Sequence, residues 1–285
     1  MAVILALASA MTYGVSDFLG GVFSRGQRVS AWQIAVAGQC SSAAVTWLAV
    51  LAVTGEATRE HVLLSALAGL GSGFGTGFLY RGFARGRMGV VAPVSAVGSA
   101  LVPLAVGLGQ GDRPSALAVI GVACAFPAIW LVARPDPQAH GPLLDAEPGA
   151  PSGFVDAVLA GLGFGVLFAV LGQIPDDAGF VPLAICQTVS IAAIVVTAML
   201  LREAWVPRSG PAALGLLLGP LGFTATAAFM LATHHGLLSV VSVIAALYPA
   251  STVLLARLVL HERIGRGQAA GLAAAAVSVS LVALG

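Results

Sequence analysis

The chain has 285 residues, of which 58% are apolar before its 36 glycines are counted and only 9% are charged, with a formal net charge of +1. Soluble domains carry about 25% charged residues, and a chain this poor in ionised groups cannot cover a water-facing surface. A mean hydropathy of +0.98 points the same way, to an integral membrane protein, and thirteen basic residues, all arginine, form no basic patch for a nucleic acid.

A helix crosses a bilayer with about 20 predominantly apolar residues and satisfies its own backbone there. Ten such runs follow one another: 3–23, 30–53, 62–80, 88–108, 115–133, 153–172, 179–200, 210–232, 237–259 and 265–284. They lack the alternation of a barrel strand. The first run has no basic n-region and leads straight into further apolar sequence, which favours a retained span over a cleaved signal. It contains Asp17. An ionisable side chain in hydrocarbon is a functional residue by default, able to bind a cationic group or carry a proton; the alternative is a position near the headgroups, paired with Arg25 or Arg28. Tyr13, one turn earlier on the same face, lines whatever Asp17 lines.

Among the polar residues of the other runs, serines and threonines can return their hydroxyls to the carbonyl one turn back. Gln39, Gln187 and Tyr248 stand out, because an amide is not fully satisfied by its own helix and aromatic faces line ligand sites. With Tyr80, the expected substrate-binding or proton-coupling set is Asp17, Tyr13, Gln39, Tyr80, Gln187 and Tyr248. In the third run Gly69, Gly73 and Gly77 form one stripe and Gly71 and Gly75 another, both suited to close helix packing. Pro93, Pro103, Pro127, Pro220 and Pro249 free carbonyls within their runs and are gating candidates. The sixth run ends early at Gln173, Pro175, Asp176 and Asp177, and His234 and His235 are expected to cap the eighth helix or meet headgroups. Cys40, Cys124 and Cys186, each inside an apolar run and without CxxC spacing, read as buried small residues.

The longest loop, 134–153, holds five prolines and divides the runs five and five, so 1–134 and 153–285 are expected as two halves joined by a linker over 135–152. Shifting the chain by 150 residues superposes Gly86–Gly121 on Gly236–Gly271 without a gap, with nine identities, about twice what this composition yields by chance. Asp112-Arg113 falls on Glu262-Arg263, and each pair is expected to join at the membrane surface. An odd number of spans per repeat makes the second copy enter from the opposite face. The expected fold class is therefore an all-α membrane protein of ten transmembrane helices in two inverted five-helix repeats.

Ala246-Leu-Tyr-Pro249, Leu254-Leu255, Glu262-Arg263, Gln268 and Gly271, with the weaker set Val91-Ala-Pro93, Pro103, Asp112-Arg113 and Gly121, resemble the EamA-like transporter family of the drug/metabolite transporter superfamily. Asp112 stands where the family usually has glutamate, and nothing in the first half matches Gln268. The resemblance implies a multi-pass protein of the inner (plasma) membrane that exports amino acids, metabolites or toxic compounds. It also implies cytoplasmic termini, whereas arginines gathered in alternate loops favour termini outside.

No GxxxxGK[ST] loop, HExxH, GxSxG or Cys-His constellation is present, so neither a cofactor nor an enzyme activity is expected. The expected partners are a small-molecule substrate and the lipid bilayer, with protons a candidate coupling ion and a homodimer a candidate assembly. A non-transporting scaffold or regulator is the rival reading. Polar residues from both halves lining one cavity would favour transport, and an interface packed solid with glycine and alanine would favour the scaffold.

Overall fold

A computed structural model describes residues 1–24, 29–53, 55–86, 88–132, 153–259 and 265–284. Among them the elements are helices: α1 (Ala2–Ser24), α2 (Ala31–Ala52), α3 (Arg59–Arg85), α4 (Met88–Gly109), α5 (Ala116–Val132), α6 (Phe154–Leu171), α7 (Val181–Leu200), α8 (Gly210–Ala213), α9 (Leu218–Thr233), α10 (Leu238–Ala245), α11 (Tyr248–Val259) and α12 (Arg266–Leu284). Short 3₁₀ turns occupy Asp176–Ala178 and Leu214–Leu217. Seven helical segments are long and apolar enough to cross a membrane, and three apolar segments, Ala116–Leu131, Leu238–Thr252 and Ala269–Leu284, are shorter.

The expected apolar runs fall on these helices with two departures. Run 210–232 begins as the single turn of α8 and a 3₁₀ turn before α9 continues. Run 237–259 is broken between α10 and α11. Pro249 lacks the N–H that would reach the Ala245 carbonyl, and the chain tightens around it: Leu247 N–H bonds the Ile244 carbonyl at 3.1 Å and Ala250 N–H bonds Leu247 at 2.9 Å. Pro220 falls in the first turn of α9, just after the 3₁₀ turn, and the remaining flagged prolines are accommodated without a break. Pro93 and Pro103 lie inside α4 and Pro127 inside α5.

Lipid offers no hydrophobic drive between helices, so close packing depends on small residues. The two glycine stripes of α3 meet different neighbours. A Cβ at Gly69 would sit 2.5 Å from the Cys186 carbonyl oxygen of α7, and one at Gly71 would sit 2.6 Å from the Gly163 oxygen of α6. Gly73 continues the first seam against Ser190, Gly75 continues the second against Phe164, and Gly77 leaves room for the Trp32 ring of α2. Further contacts join α4 to α6, α1 to α9, α2 to α7 and α9, and α5 to α12. Outward faces carry bare apolar side chains such as Leu51, 80% exposed, and Leu200, 78% exposed, as a lipid-facing surface requires.

Several expectations need correction. Cys186 is buried and Cys124 partly so, but Cys40 is exposed, because one residue beyond the inward-facing Gln39 turns about 100° around the helix. Asp112 forms no ion pair with Arg113 among the described residues. Its carboxylate accepts the Ser239 N–H at 2.9 Å, capping the N-terminus of α10, where a negative charge meets the positive end of the helix dipole. Glu262 and Arg263 lie outside the described residues, as do Arg25 and Arg28. His234 caps α9 and its Nε2 lies 2.9 Å from the Ile174 carbonyl oxygen. The described ion pairs, Arg81 with Asp156 at 3.7 Å and Arg85 with Glu203 at 3.0 Å, tie the end of α3 to the start of α6 and to the segment after α7.

Candidate functional site

Where α1, α2, α3, α6, α7, α9 and α11 come together, the packing leaves a cavity of about 60 Å³. That is enough for a handful of water molecules. Each helix contributes one stripe at helical spacing: Tyr13, Ser16 and Asp17 from α1; Ala35, Gly38, Gln39 and Ser42 from α2; Ser72, Thr76, Leu79 and Tyr80 from α3. The second half supplies Phe164, Leu167 and Phe168 from α6, Gln187 from α7, Leu218, Gly222 and Thr226 from α9, and Tyr248 from α11.

All six residues singled out in the sequence line this cavity. Asp17 is 6% exposed, and among the described residues no hydrogen bond or ion pair engages its carboxylate. It lies within electrostatic reach of Tyr13, Tyr80 and Tyr248. Glycines on either side of it hold α1 close to two of them. A Cβ at Gly14 would lie 2.7 Å from the Tyr248 carbonyl oxygen, and one at Gly20 would lie 2.5 Å from the Tyr80 ring.

The two amides join the halves of the chain. Gln39 Nε2 donates to Gln187 Oε1, and Gln187 Nε2 donates to Thr226 Oγ1 at 3.1 Å. Tyr248 is anchored on α4: its hydroxyl donates to the Ala92 carbonyl at 3.1 Å and shares a 2.6 Å hydrogen bond with Ser95 Oγ. The break before α11 allows this. The Tyr13 hydroxyl and Ser42 Oγ are buried without a hydrogen-bond partner.

The sequence reading missed Phe164 and Phe168, four residues apart on α6, where Phe168 stacks edge-on with Tyr13 at 5.5 Å and packs on Phe229 at 4.4 Å. It singled out Tyr80 but not Ser72 or Thr76, although their four-residue spacing puts all three on one face of α3. Ser95 reaches Tyr248, and Ser190 donates to Ser72 at 3.3 Å, whereas Ser99 and Thr224 bond within their own helices. No group of three or more His, Cys, Asp or Glu side chains suited to a metal ion occurs among the described residues.

A solved crystal structure of another protein superposes with a TM-score of 0.73 at 15% identity, covering 99% of this chain and 98% of that one, a likeness of fold. No curated protein matches the sequence. Residues 151–284 match the EamA-like transporter family, which belongs to the drug/metabolite transporter superfamily.

Proposed function

We propose that the protein is a secondary transporter of the inner (plasma) membrane that exports a small metabolite or drug-like compound by alternating access. Ten crossings form two inverted five-helix repeats, 1–134 and 153–285, joined by the linker 135–152. Internal correspondences support the repeat. A shift of 150 residues carries the bounds of α4, Met88–Gly109, onto the outer bounds of the α10–α11 pair, Leu238–Val259. Helix contacts come in exchange pairs: α3 on α6 with α9 on α1, α3 on α7 with α9 on α2, α4 on α6 with α10 and α11 on α1. The correspondence reaches single residues. Gly14 packs against the Tyr248 carbonyl and Thr252, and Gly165 packs against the Gly98 carbonyl and Val102.

The observation that carries the transport reading is the polar cavity between the halves, with Asp17, Gln39 and Tyr80 from the first and Gln187, Thr226 and Tyr248 from the second. A site at a repeat interface is exposed to each face in turn when the repeats rock. The scaffold reading draws on the glycine seams of α3, but a scaffold has no use for a buried carboxylate facing open space. Protons are the candidate coupling ion through Asp17.

The test is substrate-induced proton flux and tracer uptake in sealed proteoliposomes, screened across amino acids, sugars and cationic compounds, with Asp17→Asn beside the wild type. Uptake by the wild type that falls at least about tenfold in a folded Asp17→Asn variant is expected. Undiminished uptake in that variant removes Asp17 from the mechanism, and a folded wild type that moves no compound returns weight to the scaffold.

A further inference from the structure

We infer that the cavity selects a protonated organic amine with a short apolar body and no carboxylate of its own, an inference that rests on the transporter reading above only for the movement of that amine. Three observations converge. First, the charge is one-sided: Asp17 is the ionisable acid of the lining, and no arginine or histidine lines the cavity among the described residues. Arg81, next to Tyr80 in the chain, is engaged with Asp156 at 3.7 Å and lies over the Phe78 ring.

Second, beside the paired amides the lining keeps polar groups without a partner. Gln39 donates to Gln187, Gln187 to Thr226, and Tyr248 to Ala92. The Asp17 carboxylate, the Tyr13 hydroxyl and Ser42 Oγ have no described partner. Buried polar groups are paired in native structures, so an occupant that brings N–H donors completes this site. A carboxylate or phosphate would bring more acceptors and a second negative charge beside Asp17, which is strongly unfavourable out of water.

Third, the remaining wall is aromatic and aliphatic. Phe164, Phe168, Leu79 and Leu167 give a short alkyl body an apolar side to lie against. An ammonium thus has a counter-charge and acceptor oxygens beside an apolar wall. A zwitterionic amino acid brings the same ammonium, but its carboxylate shares the space with Asp17 and meets no arginine or histidine of the described lining to offset the second charge.

The experiment compares three small ligands with one alkyl body: ethylammonium, alanine and propionate, titrated calorimetrically into the purified full-length protein in detergent. Ethylammonium is expected to bind at least about tenfold more tightly than either carboxylate-bearing ligand, and Asp17→Asn to lose at least about tenfold of that affinity. Alanine or propionate binding as tightly as the amine overturns the inference, as does the absence of amine binding to folded wild type. If Asp17→Asn fails to fold, the three-ligand comparison on the wild type decides alone, with Tyr13→Phe, expected to weaken the amine a few-fold, as the second variant. Labelled amine uptake into proteoliposomes separates the two readings. Binding without uptake supports the amine site and counts against transport, whereas alanine uptake without amine binding supports transport and overturns the amine site.

Discussion

Helix α4 and the α10–α11 pair occupy the same register 150 residues apart, yet one is continuous and the other is broken in its middle. The difference is concentrated at one position. Gly98 of α4 lets α6 come into direct backbone contact, so that a Cβ there would lie 2.8 Å from the Gly161 Cα. Its counterpart by the shift is Tyr248, whose ring faces the cavity and whose hydroxyl reaches back to α4. Prolines alone do not make the distinction, since α4 stays helical through Pro93 and Pro103. What differs is that the α10–α11 pair places a large side chain and a proline where α4, 150 residues earlier, places glycine and serine. The close seam at Gly98 and the cavity wall at Tyr248 thus differ chiefly in the volume of one residue.

The strongest way to break the comparison is to give α4 the side chain of its counterpart. Gly98→Tyr has no space against Gly161, and no flexible side chain there can yield. Overpacking of this kind is expected to remove about 3 kcal/mol or more of stability, read as loss of the monodisperse folded species and of the thermal transition in detergent. The paired glycines sharpen the point. Gly14→Ala would press on the Tyr248 carbonyl at 2.7 Å, and Gly165→Ala on the Val102 side chain at 2.6 Å. Both are expected to cost about 1–3 kcal/mol, Gly14→Ala the more because backbone cannot give way as a valine methyl can. Uptake assays should separate them further: Gly14→Ala displaces the segment that carries Tyr248, while Gly165→Ala acts away from the cavity and is expected to retain transport.

A smaller effect is expected at the start of α10. Asp112→Ala removes the carboxylate that accepts the Ser239 N–H and leaves that helix end uncapped. The loss is expected near 1 kcal/mol, the range of helix caps, with faster amide exchange confined to residues 238–241. Asp112→Asn should retain most of the stability, since an amide oxygen still accepts the bond. Equal loss in both variants would assign the effect to charge.

These variants also mark how far the sequence could be read. Apolar run length located the helices because each crossing must satisfy its own backbone, and that constraint is written locally. The break at Ala246–Leu247 was not legible: Pro249 flags a freed carbonyl, but Pro93 and Pro103 flag the same and leave α4 intact. Within the cavity, an ionisable group, two amides and three tyrosines could be picked out because each needs a partner its own helix cannot supply. Phe164 and Phe168 could not, since a phenylalanine in an apolar run is equally at home facing lipid. Asp112 misled for a related reason. Its neighbour Arg113 suggested an ion pair, while the partner it bonds is a backbone N–H 127 residues away, which carries no residue-type signature.

Tyr248→Phe gives the smallest and most discriminating test, because it keeps the ring that distinguishes α11 from α4 and removes only the link between them. The hydroxyl donates to the Ala92 carbonyl and meets Ser95 Oγ, and Ser95 also bonds the Ala92 carbonyl at 2.9 Å. The deletion therefore leaves no orphaned group, and the loss should approach the roughly 0.6 kcal/mol average of hydrogen bonds inside membrane proteins. Thermal unfolding beside the wild type in one detergent, with uptake measured in parallel, should show a small shift and retained transport. A loss of several kcal/mol would mean that the hydroxyl, and not the bulk of the ring, holds the break open. The contrast with Gly98 would then lie in a hydrogen bond instead of a volume.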